Sequence, residues 1–240
     1  MPHKQAHRGA NPKDAALFAD KHLPAMRQAL QDLHYLLNRD YTLNASLKLV
    51  GDRFRLKKRQ RQALTHAVAT QEAIRNRTQS RVATLKHQTV WLDGYNQLIT
   101  TEALLAGAPV FRGMDGCLRD IASVHSTYRK VAETLPALQY IGEALQRHEV
   151  GKVVWVLDAP ISNSGRLAAL LREQPWGWEV VLDNNPDKML VEQNGVVVSS
   201  DSWVLDRAGA WFNLSVELAE VIPTPWLVEV SSGTTAKFTL

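Results

Sequence analysis

Thr89-Val90-Trp91-Leu92-Asp93-Gly94-Tyr95-Asn96 is an apolar run that stops at an acid, a glycine, an aromatic and an amide. It reads as a buried first strand delivering Asp93 to the carboxyl edge of a parallel sheet, since both faces of such a strand are covered. Two later stretches repeat the design. Lys152-Val153-Val154-Trp155-Val156-Leu157 ends in Asp158, and Gly195-Val196-Val197-Val198-Ser199-Ser200 ends in Asp201. In an open α/β sheet, the strand ends beside a switch in strand order share one crevice, and ligands bind there. Carboxylates converging on it repel one another unless a divalent cation sits between them.

Working outward, 240 residues with 45% hydrophobic content provide one ordinary core and a smaller second unit, hence an α/β domain with an appendage. No apolar stretch reaches the roughly 18 residues of a membrane span, and Met1-Pro2-His3-Lys4-Gln5 lacks the apolar centre of a secretory signal. The cytoplasm is the expected compartment. The single Cys117 can form neither an internal disulfide nor a thiolate metal cluster.

The net charge of +4 is unevenly divided. Residues 1–90 hold 17 Lys and Arg against 6 Asp and Glu, and residues 91–240 hold 11 against 18. A basic module precedes an acidic one, as in a chain that gathers a polyanion with one part and concentrates metal-binding carboxylates in the other. A solvated helical face is the plainer explanation of the basic excess.

Residues 1–12 read as a loose polar arm and residues 13–80 as a basic helical domain. Helical spacing runs from Lys13 to Asn38 with a new start at Pro24, and a short helix from Asn44 to Val50 is expected to stop at Gly51. Arg53, Arg55, Lys57, Lys58, Arg59 and Arg61 then open a longer helix to about Arg77, an arrangement suited to nucleic acid. Residues 78–88 read as a linker and 88–222 as the α/β domain. Within it, 116–148 is expected to be mostly helical, 178–182 a strand closing at Asp183, Pro186 the start of a short helix with Asp187 in its first turn, and 210–214 a fifth strand. Residues 223–240 read as an edge segment or tail.

Asp93-Gly94-Tyr95-Asn96 at the end of a first strand resembles the signature of the NYN nucleases, a branch of the PIN-like ribonucleases. Asp158, Asp187 and Ser199-Ser200-Asp201 follow in the order of that family. The resemblance implies a PIN-like parallel sheet with flanking helices, and magnesium or manganese held by Asp93, Asp158, Asp187 and Asp201, with Asp183 as the alternative to Asp187. It further implies metal-dependent hydrolysis of phosphodiester bonds in RNA and pairing of two copies into a homodimer. Asn96 would orient a ligand or phosphate, Ser199 and Ser200 would donate hydroxyl bonds, and Arg166 or Lys188 would hold phosphate oxygens. Residues 13–80, through Leu43-Asn44-Ala45-Ser46-Leu47-Lys48-Leu49-Val50-Gly51-Asp52-Arg53, resemble a helical domain catalogued as domain of unknown function 434. Asp115 and Asp120, in the long insertion after the first strand, lie either near the crevice or far from it.

Other chemistries are poorly supported. The eight histidines show neither zinc-ligand spacing nor a nucleophile elbow, and no glycine-rich phosphate loop is present. An aspartyl phosphatase would need a second aspartate two residues after Asp93, where Tyr95 stands. Tyr95 lines a groove or packs beneath it, and Trp176 and Trp178 either stack on bases or, as expected, pack at a strand start. The competing class is an inactive RNA-binding adaptor of the same fold.

Overall fold

The computed structural model describes residues 7–122 and 127–231. Its first part is helical: α1 (Asp14–Leu17), a 3-10 turn (Asp20–His22), α2 (Leu23–Leu37), α3 (Leu43–Arg53), α4 (Lys58–Ala67) and α5 (Gln71–Ser80). Pro24 stands in the first turn of α2, where its missing N–H costs nothing. α3 runs through Gly51 instead of stopping there. The glycine serves close approach, since a Cβ at this position would lie 2.5 Å from the Arg61 guanidinium carbon. The expected long helix from the basic cluster is two helices. Val68 and Ala69 turn inward into buried positions, and the Thr70 hydroxyl accepts from the Ala73 N–H at 3.1 Å to start α5.

The α/β part follows as β1 (Thr89–Asp93), α6 (Gly94–Leu105), β2 (Val110–Arg112), β3 (Leu118–Asp120), α7 (Thr134–Arg147), β4 (Lys152–Asp158), α8 (Ser164–Arg172), β5 (Glu179–Asp183), α9 (Pro186–Glu192), β6 (Val196–Val198), α10 (Ser202–Leu205), α11 (Leu214–Val221) and β7 (Leu227–Glu229). β5, β4, β1 and β6 form a parallel sheet in that order, with Val90 opposite both Val153 and Val196. From β1 the chain steps outward through β4 and β5, then returns to the other side of β1 for β6. The switch in order therefore lies between β1 and β6.

One face of this sheet buries Val90, Leu92, Trp155 and Val198 under α6, α7, α8 and α11. The other buries Val156, Val197, Leu190 and Trp211. β1 alternates, with Val90 and Leu92 on the first face and Trp91 on the second, as the two-residue period of a strand requires. Trp178 packs 5.0 Å from Trp155 by ring centroids, the packing role expected of it.

Several expectations change. The stretch 116–148 is helical only over α7 in its described part. β2 and β3 instead form an antiparallel pair extended by β7, because Cys117 and Leu118 point to opposite cores with a two-residue period. The fifth strand reduces to a bridge between Trp211 and Val197, cut short as the chain enters α11 at Leu214. Of the last segment, β7 is an edge strand beside β2, and 232–240 lie outside the described residues.

Residues 1–6 of the expected loose arm also lie outside the described residues, but His7 and Arg8 are docked: His7 meets Glu133 at 2.5 Å and Arg8 meets the buried Glu102 at 2.6 Å. The linker is likewise packed, with Leu85 fully buried and Lys86 bridged to Val150.

The helical part shares its core with the small sheet. Phe18, Met26, Leu30 and Leu64 pack with Phe111, Ile121, Val228 and Val230, and the Phe18 and Phe111 rings meet edge-on at 4.9 Å. This contact brings α4 and α5 up to the α/β part. Among the described residues, no helix is long and apolar enough to cross a membrane.

Candidate functional site

Asp93 leaves β1 at the switch in strand order and caps α6, its Oδ1 accepting from the Asn96 N–H at 3.4 Å. Gly94 is what lets α6 begin there. A Cβ at this position would stand 2.8 Å from the Val156 carbonyl oxygen and 2.5 Å from a Leu157 methyl. Across the switch, the Ser199 hydroxyl donates to Asp93 Oδ2 at 2.7 Å and accepts from the Asp201 N–H at 2.9 Å. Asn96 Oδ1 accepts from both the N–H and the hydroxyl of Ser200, at 2.8 and 2.9 Å. Asp201 in turn caps α10, accepting from the N–H groups of Trp203 and Val204. The tetrapeptide and the Ser-Ser-Asp triplet are thus one hydrogen-bonded unit joining the ends of β1 and β6.

Asp158 ends β4, and Asp187 lies in the first turn of α9, which Asn185 caps. Their charges are felt across the crevice. Burial, followed by the charges of Asp201 and Asp187, pushes Asp93 up to about 7 against the hydrogen bond from Ser199. Burial also raises Asp187, with Asp201 and Asp158 adding to it, and burial with the charge of Asp158 pushes Tyr95 up to about 12. Asp187 shares this electrostatic coupling with Asp93, Asp158 and Asp201. The Asp183 carboxylate accepts from the Asn185 N–H at 2.7 Å within its own turn. Tyr95 is buried, and its hydroxyl has no partner among the described residues.

No ion pair among the described residues neutralises Asp93, Asp158, Asp187 or Asp201. Mutually repelling oxygen donors of this kind suit a hard divalent cation in their chemistry. Their spacing is not that of a closed shell: no group of three or more His, Cys, Asp or Glu among the described residues could hold a metal ion. A cation here would take one or two of these carboxylates and complete its shell with water or substrate oxygens, which is the habit of magnesium.

A cavity of about 540 Å³ opens between this unit and the helical part. Tyr95, Asn96, Asp120, Ser200 and Asp201 line one side, and Thr65, His66, Val68 and Ala73 of the α4–α5 corner line the other. Burial lowers His66, opposed chiefly by the charge of Asp120. Arg119 ties the two sides together by donating to the Ser200 carbonyl at 2.6 Å and the His66 carbonyl at 3.1 Å.

Asp115 is neutralised and not a free acid of the crevice, because Arg119 and Arg77 both pair with it, at 2.7 and 2.5 Å. Burial works to raise its carboxyl, and the two guanidiniums outweigh burial and hold it at about 2. Asp120 is the nearer of the two acids in the insertion, its carboxyl raised by burial and bonded by Thr100.

The basic cluster divides. Arg59 pairs with the buried Asp14 at 2.6 Å, Arg61 with Asp52 at 2.8 Å and Arg53 with Asp32 at 3.8 Å, while Arg55, Lys57 and Lys58 stay exposed. Arg166 reaches Asn163 at 3.4 Å and Lys188 reaches Glu192 at 3.7 Å, so both engage neighbours on their own helices or caps. His66, Thr65 and Arg119 were not legible as site residues in the sequence. His66 is one of eight unclustered histidines, and its helix is turned toward the crevice by long-range contacts, the packing of Phe18 on Phe111 and the Arg119 bond to the His66 carbonyl.

Fold and site define a parallel α/β domain with an acidic crevice at its switch point, closed on one side by a helical region. The chain belongs to the family described as Domain of unknown function (DUF5616), which matches residues 82–217. Residues 25–79 match the family described as Protein of unknown function (DUF434), in agreement with the resemblance carried by the helical part. The uncharacterized protein MJ0935 of Methanocaldococcus jannaschii is 29% identical over 187 residues, covering 75% of this chain and 89% of that protein. No solved structure matches the chain.

Proposed function

We propose that the protein is a magnesium- or manganese-dependent nuclease that hydrolyses phosphodiester bonds in RNA in the cytoplasm, with a PIN-like α/β domain and a basic helical module that engages the substrate. The observation that carries this reading is that Asp93, Asp187 and Asp201 lie within electrostatic reach of one another, with Asp158 beside them, at the carboxyl edge of the parallel sheet, none of the four in an ion pair among the described residues. The Asp-Gly-Tyr-Asn resemblance to NYN nucleases supports it independently.

Asp93 and Asp201 are the carboxylates best set to hold a cation, because Ser199 joins the Asp93 carboxylate to the Asp201 backbone and the caps of α6 and α10 hold the two side chains. Asp187 and Asp158 add negative charge that favours the bound ion. A bound cation would activate water and offset charge on the scissile phosphate. Asn96 commits its Oδ1 to Ser200, which leaves its Nδ2 to donate to a phosphate oxygen.

The spacing of the acids favours a second reading, an RNA-binding adaptor of the same fold without catalysis. Incubating labelled single-stranded RNA, duplex RNA and DNA with magnesium, manganese or chelator separates the two. Metal-dependent cleavage of RNA supports the nuclease. RNA binding without cleavage in any condition supports the adaptor.

A further inference from the structure

We propose that the cavity between the α4–α5 corner and the crevice seats a guanine base of the substrate, read by Asp120 and His66. The inference rests on the nucleic-acid reading above. At about 540 Å³ the cavity falls in the roughly 300–1,000 Å³ range of pockets that enclose small ligands, and it shares Asn96, Ser200 and Asp201 with the acidic edge. A base inside it would place its own phosphate at that edge.

The lining selects the base. Asp120 Oδ2 accepts once from Thr100 and Oδ1 once from the Ala122 N–H, each at 2.8 Å, so each oxygen keeps room for another donor. Guanine presents two adjacent donors, N1–H and the N2 amino group, that match two carboxylate oxygens side by side. Adenine and cytosine set an acceptor beside their amino group, and uracil flanks its single N–H with carbonyls, so each turns an acceptor toward the carboxylate.

Across the cavity the His66 imidazole makes no hydrogen bond to another described residue, although its backbone carbonyl is fixed by Arg119. It is within electrostatic reach of Asp120 and has an N–H to give to guanine O6. Val68, Ala73 and Ile99 supply apolar surface for the ring faces. The helical region thereby becomes a specificity element of the site and not only a basic handle.

The test measures binding of 5′-GMP, 5′-AMP, 5′-CMP and 5′-UMP to the full chain in chelator, then maps cleavage positions in an RNA of mixed sequence with manganese. GMP is expected to bind about tenfold or more tightly than the others, in line with a bidentate base contact. Asp120→Asn should erase the preference. Because that variant disturbs the Thr100 and Ala122 bonds, Ala73→Phe serves as the second. Ala73 is half-buried and bears no polar side chain, so filling the cavity there should abolish GMP binding while thermal melting stays unchanged.

Equal binding of the four nucleotides, no binding, or wild-type GMP binding by Ala73→Phe would overturn the proposal. Selective GMP binding with cleavage indifferent to guanine would also overturn it, marking the pocket as a site for a free nucleotide. Binding is read without metal or turnover, so selective GMP binding without any cleavage removes the nuclease reading and leaves the pocket.

Discussion

The Ser199 hydroxyl donates to Asp93 Oδ2 at 2.7 Å, from the end of a strand three crossovers later in the chain than the one Asp93 ends. This bond lowers the Asp93 carboxyl, yet burial and the charges of Asp201 and Asp187 still carry it up to about 7 from 3.8. Because the folded-state value is the higher one, the native state binds the proton more tightly. The stability this group contributes is fully present below about pH 4 and lost as pH rises through about 7.

In chelator, wild-type stability is therefore expected to fall between pH 5 and pH 8, by about 3 kcal/mol, since the slope of ~1.4 kcal/mol per pH unit ends near pH 7. Asp93→Asn, which has no charge to bury, should flatten the fall, leaving the variant close to wild type at low pH and more stable than it at pH 8. Thermal melts across this range check the expectation. Parallel curves for the two proteins would refute it.

The Arg77–Asp115–Arg119 cluster behaves oppositely. Asp115 is held at about 2, so its contribution is present above about pH 4 and is lost as pH falls toward 2. Asp115→Ala leaves the buried Arg119 guanidinium unpaired and Arg77 with Asp206 alone, and should cost about 3–5 kcal/mol. Chemical denaturation at pH 7 measures this. A loss below about 1 kcal/mol would show that the cluster does not hold the two parts together.

Gly94→Ala puts a methyl against the Val156 carbonyl oxygen and the Leu157 side chain, where α6 starts against β4. We expect a cost of about 1–3 kcal/mol. Cleavage should fall by more than the stability loss explains, since Asp93 and Asn96 flank the displaced turn. Denaturation curves and rates for the same preparation separate the two effects.

The basic cluster predicts a split. Glutamate at Arg55, Lys57 and Lys58 together should weaken RNA binding and reduce its salt dependence by about 0.7 per lost phosphate contact on a single strand. Arg59→Ala should instead destabilise the fold by on the order of 3 kcal/mol, because Asp14 is left buried and unpaired. Salt-dependent binding isotherms and melts distinguish these outcomes. Unchanged binding by the triple variant would reduce the cluster to a solvated face.

The sheet was legible because its strands sit in apolar runs that end in an acid. β1, β4 and β6 carry Asp93, Asp158 and Asp201 at or just beyond their ends. α9 was legible from Pro186. β2 and β3 were not, since Val110-Phe111-Arg112 and Leu118-Arg119-Asp120 are as short as β6 but lack its unbroken run of valines. Gly51 misled because a glycine needed for the approach of Arg61 looks in sequence like a helix stop. The second wall of the cavity was hidden for a different reason. His66 reaches the crevice only through Phe18 packing on Phe111 and Arg119 bonding to both carbonyls, contacts that no local pattern encodes.

The most direct test compares manganese-dependent RNA cleavage rates of wild type with those of Asp93→Asn, Asp187→Asn and Asp183→Asn. Asp93 and Asp187 share the crevice charge, whereas Asp183 bonds within its own turn. The account predicts loss of cleavage by on the order of a hundredfold or more in the first two variants and near-wild-type rates in the third. Cleavage undiminished by Asp93→Asn, or none from wild type under any metal condition, would contradict it.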